Sequence, residues 1–588
     1  MTTPLPIDTL DADILIIGAG GAGLLAALHA HEHNKQLRIV VAVKGLLGQS
    51  GCTRMVQGGY NAVLNPNDSL ERHFSDTIKG GAYLNNQELA WTLVAESPKR
   101  IVELENKAGC IFDRNPDGTI HQKAFAGQSF DRTVHKGDLT GIEIMSNLRD
   151  YMLEADIRIL QECRGLDLLG EDGVVSGALL LNIRTGRLIT VRAKATLLAT
   201  GGGATMYRIS SPSLEKSGDG MAMARRAGAV FVDMEMLQFH PTGLLVGTSI
   251  ATGGLLEEGL RGAGAHLYNG LGERFMQRYD PKLERATRDV VSRSSYMEIT
   301  AGRGSPSGGV YIDARHLGEE FLLENFPGMV ERCADYGFDM LHDRVEVSPS
   351  AHFQMGGVKI DVQCKTSLDG LFVAGEDAGG VHGANRLGGN GVADSIVFGG
   401  CAGDSMTDYV TSRKPPSVST AQVDALSRHW TRSLASGNGD KPFALRKELE
   451  DLMWDKVGVV RNGADLSSAL DALASLRDRA KQINVPGAPA SNPAWNALMD
   501  LTNLCDVGQM VAQGASIRTE SRGAHYRLDH PSSDPGWLKN IFLTPRGDQL
   551  DVHFEPVQFT RMLPPDVTPD HSGEQSGATT HANDLRHN

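Results

Sequence analysis

The sequence has no paired cysteines of the kind that bind metal ions or iron–sulfur clusters. Its seven cysteines are scattered through 588 residues, and the nearest two in the chain are Cys333 and Cys364. Without a Cys-x-x-Cys pair, we expect neither a metal site nor an iron–sulfur cluster in this chain. An odd, dispersed set of thiols is typical of a reducing compartment, so a disulfide framework is not expected either.

Long apolar runs and a surplus of positive charge are missing as well. Glycines or charged residues interrupt every apolar run before it reaches the ~20 residues that a transmembrane helix needs. Residues 1–13 contain no Lys or Arg, which argues against a signal or transit peptide. The formal net charge is −14, whereas binding to nucleic acid needs clustered cations. We therefore expect a cytoplasmic protein that binds no nucleic acid and reaches a membrane only through a partner.

Glycine, in contrast, is abundant, with 68 of the 588 residues, or about 12% against a usual ~7%. A glycine-rich turn follows an apolar strand at 13–17 and precedes a helix-forming run. The spacing Gly-x-Gly-x-x-Gly is typical of a dinucleotide-binding turn, in which the backbone and a helix N-terminus face a pyrophosphate. Its glycines are Gly18, Gly20, Gly21 and Gly23. The next strand ends at Lys44, where a general dinucleotide site has an acid.

Two distant segments complete the pattern of a flavin site. Residues 195–203 predict a strand followed by Gly201 and Gly202, as in the return strand of a dinucleotide-binding unit. Residues 366–377 predict another strand that ends in Gly and Glu376. Such a strand places a carboxylate near the ribitol hydroxyls of a flavin. Three segments of this kind on one sheet favour FAD as the cofactor.

The rest of the chain divides by composition. The inserted residues 236–349 carry His- and Arg-rich motifs, which predicts a cap over the flavin. After a proline-containing linker at 414–417, leucines recur at helical spacing within 445–473, the pattern of a helical bundle. Apolar segments at 541–543 and 550–554 flank a Pro-Arg-Gly-Asp turn, which predicts a β-hairpin.

The fold class predicted from these segments is α/β. It comprises a Rossmann-like FAD-binding domain with an inserted α+β capping domain, followed by a C-terminal helical domain and a short tail with a β-hairpin. The predicted bounds are 1–235 and 350–412 for the FAD-binding domain, 236–349 for the capping domain, 416–518 for the helical bundle, 519–565 for the tail domain and 566–588 for a disordered tail.

Five polar motifs follow one another along the chain. They are Phe-His-Pro-Thr-Gly at 239–243, Leu-Glu-Glu-Gly-Leu-Arg-Gly at 256–262, Thr-Arg-Asp-Val-Val at 287–291, Ser-Ala-His-Phe at 350–353 and His-Gly-Ala-Asn-Arg-Leu-Gly-Gly-Asn at 382–390. With the glycine-rich segments, they resemble the flavoprotein subunit of succinate dehydrogenase and fumarate reductase, and more distantly L-aspartate oxidase. The resemblance extends from Gly18 to about Pro565. It implies an FAD-dependent oxidoreductase that interconverts fumarate and succinate, or a similar C4 dicarboxylate, by hydride transfer at flavin N5.

The resemblance also implies roles for individual residues. A dicarboxylate needs donors at both ends, and a guanidinium can bind one carboxylate through two N–H groups. The substrate-binding residues implied are His240, His352, Arg386 and Glu257. The catalytic residues implied are Arg288 as proton donor, with Glu258 and Arg261 as its relay. The cofactor-binding residues implied by the resemblance and the glycine motifs are Gly18, Gly20, Gly21, Gly23, Lys44, Cys52, Thr53, Gln57, Gly58, Gly59, Gly201, Gly202, Asp219, Glu376 and Asn390.

Partners follow from the resemblance too. Because this chain has no cluster ligands, electrons are expected to come from a separate iron–sulfur subunit. Contact with a membrane would then be indirect, through partner subunits on the cytoplasmic face of the inner membrane.

Two positions depart from the family pattern. Cys52 stands where covalent members carry the histidine that attaches FAD, so the histidyl bond cannot form. We expect FAD to be held non-covalently, and a cysteinyl link is the alternative. Glu257 stands where the family has a threonine that donates to a substrate carboxylate, and a second carboxylate there would repel the substrate. Either Glu257 is protonated, or it turns away, or the substrate differs.

Two other functions stay open at this point. An L-aspartate oxidase could use Glu257 to bind the ammonium group of aspartate. A non-catalytic flavin-binding subunit could relay electrons through a site that Glu257 has inactivated.

Overall fold

The computed structural model describes residues 5–434 and 440–565. The predicted disordered tail, 566–588, lies outside the described residues. In chain order the α-helices are α1 (Gly21–His33), α2 (Leu70–Gly80), α3 (Gln87–Glu103), α4 (Thr140–Glu154), α5 (Asp219–Ala227), α6 (Glu258–Gly262), α7 (Arg288–Glu298), α8 (Glu319–Asn325), α9 (Pro327–Asp335), α10 (Asn390–Thr411), α11 (Thr420–Thr431), α12 (Pro442–Lys456), α13 (Gly463–Lys481) and α14 (Pro493–Ile517). The strands are β1 (Ile7–Ile17), β2 (Ile39–Ala42), β3 (Tyr60–Asn61), β4 (Gln122–Lys123), β5 (Thr133–Val134), β6 (Arg158–Leu160), β7 (Cys163–Glu171), β8 (Val174–Asn182), β9 (Leu188–Leu198), β10 (Phe231–Val232), β11 (Leu237–Leu244), β12 (His266–Tyr268), β13 (Val310–Asp313), β14 (Val345–Gln354), β15 (Gly357–Lys359), β16 (Leu371–Val373), β17 (Ala378–Gly379), β18 (Lys539–Arg546) and β19 (Gln549–Pro556).

A seven-stranded sheet carries the nucleotide-binding segments. Its main order is β6-β2-β1-β9-β8-β7, and β16 pairs with β9. One edge of β9 pairs with β1. On its other edge, β8 pairs with residues 188–192 of β9, and β16 pairs in parallel with residues 196–198. The three segments predicted to bind FAD, which end β1, β9 and β16, therefore lie on one sheet. The predicted α/β fold is confirmed.

Helices α1 and α10 pack with their backbones close together. A side chain at Gly399 or Gly403 of α10 would overlap the main chain of α1 near Ala22 and Ala26. Glycine is required there because no Cβ fits between the two helices. This packing brings the first turn of α10 beside the glycine-rich turn that opens α1.

The inserted segment forms its own antiparallel sheet, in the order β11-β14-β13-β12. A separate hydrophobic cluster of residues between Leu244 and Val347 fills its interior. Helix α7 packs on β11, and the hydroxyl of Ser292 donates to the carbonyl oxygen of Phe239 at 2.9 Å. Strand β14 crosses the predicted boundary at 349/350, so the cap continues without a break into the FAD-binding part.

The C-terminal helices bury the apolar stripes seen in the sequence. Helix α12 buries Leu445, Leu449 and Met453, and α13 buries Leu466 and Leu473. Both helices pack on α14. Within residues 5–434 and 440–565, no helix has the length and hydropathy needed to cross a bilayer.

The predicted hairpin is confirmed, because β18 and β19 pair in antiparallel fashion. β18 also pairs with β10, at Phe231 and Val232, within a sheet ordered β17-β15-β10-β18-β19. Arg518, at the end of α14, adds an ion pair to Asp233 at 3.1 Å. The predicted tail domain, 519–565, is thus joined by backbone hydrogen bonds to strands from the first half of the chain.

Candidate active site

A cavity of about 1470 Å³ opens where the parallel strands end. Residues at the carboxyl ends of β1, β2, β9 and β16 line it, together with the start of α10 and the inner face of the cap. Ligands of open α/β sheets bind at this edge, because the strand ends leave a crevice there. The dinucleotide-binding turn and the polar motifs of the cap therefore face one space.

The turn at the end of β1 fits a pyrophosphate. Gly18 has a φ of +111°, and a Cβ on it would overlap the carbonyl of Ala199, while a Cβ on Gly23 would overlap the carbonyl of Gly18. Helix α1 has no acidic residue in its first turn, so its N-terminus keeps the partial positive charge that favours a phosphate. The Gly21 N–H donates to Thr53 Oγ1 at 3.1 Å, which fixes Thr53 against the turn.

Lys44, which follows β2, is paired with carboxylates from α5 and α14. Lys44 Nζ donates to Asp219 Oδ2 at 3.0 Å and to Asp500 Oδ1 at 2.7 Å. Arg164, which sequence reasoning missed, donates to the same two carboxylates at 2.7 and 2.9 Å. Although burial acts to raise it, these two cations hold the pKa of Asp219 below its usual range.

At the other end of the cradle, Glu376 is held by two partners. Its Oε1 accepts the Gln354 N–H at 2.9 Å, and its Oε2 accepts from Lys216 Nζ. Cys52 lines the same part of the cavity. Burial raises the pKa of its thiol, although the nearby Lys216 ammonium acts in the opposite direction.

Most of the predicted cofactor-binding residues line the cavity, but three do not. The predicted residues that line it are Gly18, Gly20, Gly21, Lys44, Cys52, Thr53, Gln57, Gly58, Gly59, Gly201, Asp219 and Glu376. The three that do not are Gly23, Gly202 and Asn390.

Asn390 instead belongs to a buried hydrogen-bond network behind the wall. Its Oδ1 accepts from Asn61 Nδ2 at 2.7 Å and lies 3.1 Å from His73 Nε2, and its Nδ2 donates to Thr77 Oγ1 at 3.1 Å. Asn390 therefore supports the turn that opens α10 from outside the cavity. The predicted role of Asn390 in cofactor binding stays a prediction.

A β-bulge directs His352 into the cavity. Gln238 of β11 pairs with Phe353 of β14, but the next residue, Phe239, pairs with Ala351, so His352 is the extra residue on β14. A bulge turns a side chain away from the regular alternation of its strand. His352 consequently faces His240 of the neighbouring strand, with ring centroids 5.5 Å apart.

Both histidines are neutral at physiological pH. Burial lowers the pKa of His240 and of His352 well below the usual value, and the guanidiniums of Arg288 and Arg386 add to the effect. The Thr242 N–H donates to His240 Nδ1 at 3.3 Å, which leaves Nε2 to carry the ring hydrogen. His240 can therefore donate one hydrogen bond without bringing a charge.

Glu258 bridges the two arginines predicted to act with it. Arg288 donates to Glu258 Oε2 from Nε at 2.9 Å and from Nη2 at 2.5 Å. Arg261 donates to Glu258 Oε1 at 3.3 Å and to the carbonyl of Glu284 at 2.7 Å. Although burial acts to raise it, the two guanidiniums hold the pKa of Glu258 below its usual range. Arg288 and Glu258 line the cavity and Arg261 lies behind them.

Gln238, which the sequence analysis did not identify, accepts hydrogen bonds from both arginines that face the cavity. Its Oε1 accepts from Arg288 Nη1 at 3.1 Å and from Arg386 Nη2 at 3.2 Å. Its amide nitrogen donates to Asn385 Oδ1 and to the Arg386 carbonyl. A signal was present, because Gln238 is a polar residue in an apolar strand two positions before His240, and residues i and i+2 share a face.

Arg386 has no carboxylate partner in the described part of the chain. It is 6% exposed, its guanidinium stacks 4.4 Å from the Phe353 ring centroid, and its Nε donor has no acceptor. Burial, together with the Arg288 charge, lowers the pKa of Arg386 to about 9. A buried cation with an unused donor at the cavity wall can accept an anion as its partner.

Glu257 turns toward a lysine instead of toward these arginines. Its Oε1 accepts from Lys123 Nζ at 2.6 Å. Burial raises the pKa of Glu257, and Lys123 opposes this effect. The sequence left three alternatives open for Glu257. This geometry corresponds to the one in which the side chain turns away.

Known families match nearly the whole of this architecture. The family model described as the FAD binding domain matches residues 13–392, and the one described as the fumarate reductase flavoprotein C-terminal region matches residues 446–570. The chain belongs to the fumarate reductase flavoprotein family. The resemblance seen in the motifs is thereby confirmed, and so is FAD as the cofactor.

Members of the fumarate reductase flavoprotein family align over nearly the full length. The fumarate reductase flavoprotein subunit of a Serratia species is 36% identical, over 95% of this chain and 96% of its own. The 8-methylmenaquinol:fumarate reductase flavoprotein subunit of Wolinella succinogenes is also 36% identical, over 92% and 90%. A mutant of Escherichia coli quinol fumarate reductase has the same fold, with 33% identity and a TM-score of 0.90 over 95% of this chain and 98% of that one.

Proposed function

We propose that this flavoprotein interconverts fumarate and succinate, or a closely similar C4 dicarboxylate. The observation that carries the proposal is Arg386, a buried cation without an anionic partner that faces the cavity beside two neutral histidines. A small dianion would supply the missing acceptor and use the imidazole donors at its other end. His240 of the cap, His352 at the bulge on β14, and Arg386 from the segment before α10 line one cavity.

Different residues of the chain bind the substrate and transfer the proton. Arg386 binds one carboxylate through two N–H groups, and His240 and His352 donate to the other. FAD, when bound, supplies or accepts the hydride. Arg288 begins α7 and faces the cavity. It is the proposed donor of the proton to the neighbouring carbon. Its guanidinium is already hydrogen-bonded to Glu258, so the proton it loses can be returned through Glu258 and Arg261.

The direct test follows the colour of the flavin. Protein reduced chemically under anaerobic conditions is mixed with fumarate, and the flavin absorbance near 450 nm is recorded in a stopped-flow instrument. Rapid, saturable reoxidation by fumarate is expected, and it would also rule out a non-catalytic relay subunit. Absence of reoxidation would refute the proposal. Peroxide formed on addition of aspartate alone would favour an L-aspartate oxidase.

FAD is proposed to be held without a covalent bond. Histidine is absent at position 52, and burial keeps the Cys52 thiol protonated, which makes it a poor nucleophile. Precipitating the protein with acid should therefore leave a yellow supernatant and a colourless pellet. Flavin that stays with the denatured chain would point to the cysteinyl link, and loss of that signal in Cys52→Ser would locate it.

A separate iron–sulfur subunit is proposed as the electron partner. The relatives named above are called subunits. In the residues that the structure describes, no group of three or more His, Cys, Asp or Glu side chains could hold a metal ion. This partner would deliver electrons to the flavin, and it would also provide any contact with the inner membrane.

A further inference from the structure

Three glutamates that line the cavity are each paired with a cation. Glu258 is paired with Arg288, and Glu376 with Lys216. The third, Glu257, is paired with Lys123, a residue that no motif singled out. The first two pairs belong to the relay and to the cofactor cradle. The third pair has no role in the function proposed above.

Glu257 is fixed in place by its surroundings. It immediately precedes α6, it is 4% exposed, and its N–H is directed at the Met329 sulfur at 3.4 Å. Its neighbour in the chain is Glu258, which contacts Arg288. The Glu257 carboxylate therefore lies in the wall of the cavity that holds the anion-binding residues, and it cannot escape to solvent.

Lys123 reaches Glu257 from a different part of the chain. It ends β4, its side chain is 22% exposed, and Nζ also donates to the carbonyl of Gly137 at 3.3 Å. The ammonium lies 5.9 Å from the ring centroid of Phe125, which itself lines the cavity. Lys123 is thus supported on three sides and directed at one carboxylate.

We propose that Lys123 is a positioning residue for substrate affinity that acts through Glu257. By neutralising and holding that carboxylate, it allows the cavity to accept a doubly negative substrate. The inference rests on the proposed function, because only an anionic substrate is sensitive to an uncompensated carboxylate in the wall. A buried charge that loses its partner repels a like charge strongly, since little solvent screens it.

The variant Lys123→Met tests this role through the split between KM and kcat. At pH 8 the KM for fumarate should rise by about tenfold or more, whereas kcat should stay within about threefold. The double variant Lys123→Met/Glu257→Gln should bring KM back to within about threefold of the wild type, because the neutral amide needs no cation. Lys136→Met is the matched control, since Lys136 pairs with Asp113 and not with Glu257.

The pH dependence of the variant gives a signature that a structural defect lacks. The charged groups that face Glu257 are Lys123 from β4, Asp138 from the loop before α4, and Glu258. Once Lys123 is removed, the remaining neighbours are acids, so burial and repulsion both raise the pKa of Glu257. Below that pKa the carboxyl is neutral, so the defect in KM should shrink as the pH falls and grow as the pH rises.

Binding of malonate separates this inference from the proposed function. Malonate is a short dianion that cannot take part in hydride transfer across a C=C bond, and its titration is followed by the flavin spectrum. If wild-type protein does not turn over fumarate, the proposed function fails, while weaker malonate binding by Lys123→Met would still support the inference. FAD content and thermal unfolding check the fold, and Lys123→Gln replaces the methionine variant if that one loses FAD.

Three results would overturn the inference. One is an unchanged KM and malonate affinity in the lysine variants. Another is a defect that Glu257→Gln does not relieve, and the third is a fall in kcat with KM unchanged. Wild-type protein that neither binds malonate nor turns over fumarate would overturn both proposals.

Discussion

Replacing Arg288 by alanine is expected to lower the rate of fumarate reduction by about 10³-fold, within the range that a positioned general acid contributes. Arg288 is the residue that both faces the cavity and contacts Glu258 through two N–H groups. Its loss removes the proton donor and leaves Glu258 with only the longer contact to Arg261. The measurement is the rate of flavin reoxidation by saturating fumarate, with the FAD content determined on the same sample.

Arg285→Ala is the matched control for this variant. Arg285 precedes α7 by a few residues, is exposed, and donates to the carbonyl of Gly262. Its removal should leave the rate unchanged. If Arg288→Ala keeps more than about a tenth of the wild-type rate, Arg288 is not the proton donor. Arg288→Lys should also be slow, because an ammonium cannot reproduce the planar fork that contacts Glu258.

Replacing Arg386 by glutamine is expected to weaken dicarboxylate binding by about 10²- to 10³-fold, the loss typical of a buried, charge-assisted pair. Glutamine keeps a hydrogen-bond donor near Gln238 but removes the charge and one arm of the fork. The KM for fumarate should rise accordingly, and malonate should no longer perturb the flavin spectrum at concentrations that saturate the wild type. FAD should stay bound, since the contacts of Arg386 are with Gln238, Phe353 and the Leu387 carbonyl, none of which is a predicted cofactor-binding residue.

Arg208→Gln serves as the control for charge at the cavity. Arg208 also lines the cavity, but it is exposed and already paired with Asp451 and Asp455. Its removal should change KM little. A similar loss in both variants would mean that the substrate responds to the overall field of the cavity, and that Arg386 has no specific contact with it.

Local features of this fold are readable from the sequence because their causes are local. The turn at 18–23 needs glycine at positions where a Cβ would overlap neighbouring carbonyls. The apolar run that ends β1 and the leucine stripes of α12 and α13 report burial directly. The catalytic motifs are also short, so Arg288, Glu258 and Arg386 could be named in advance. Their assembly in one cavity, however, depends on how the inserted cap packs against the seven-stranded sheet.

Long-range partners could not be predicted in the same way. Lys123 and Glu257 are far apart in the chain, as are Arg164 and Asp500, and nothing in either segment marks its partner. Gln238 has a weak local signal, whereas the bulge that aims His352 appears only when two strands are paired. The motif that contains Asn390 likewise gives no sign of the buried network that its side chain forms with Asn61, His73 and Thr77.

The sheet that joins β10 to β18 has a consequence for how the chain is made. Residues 231–232 pair with residues 542–543, so this edge of β10 has no strand beside it until β18 has been synthesised, about 300 residues later. An open edge of this kind is a template for wrong pairing between chains. A nascent chain stalled before residue 539 should therefore need a chaperone, and its native topology is completed only when β18 pairs with β10.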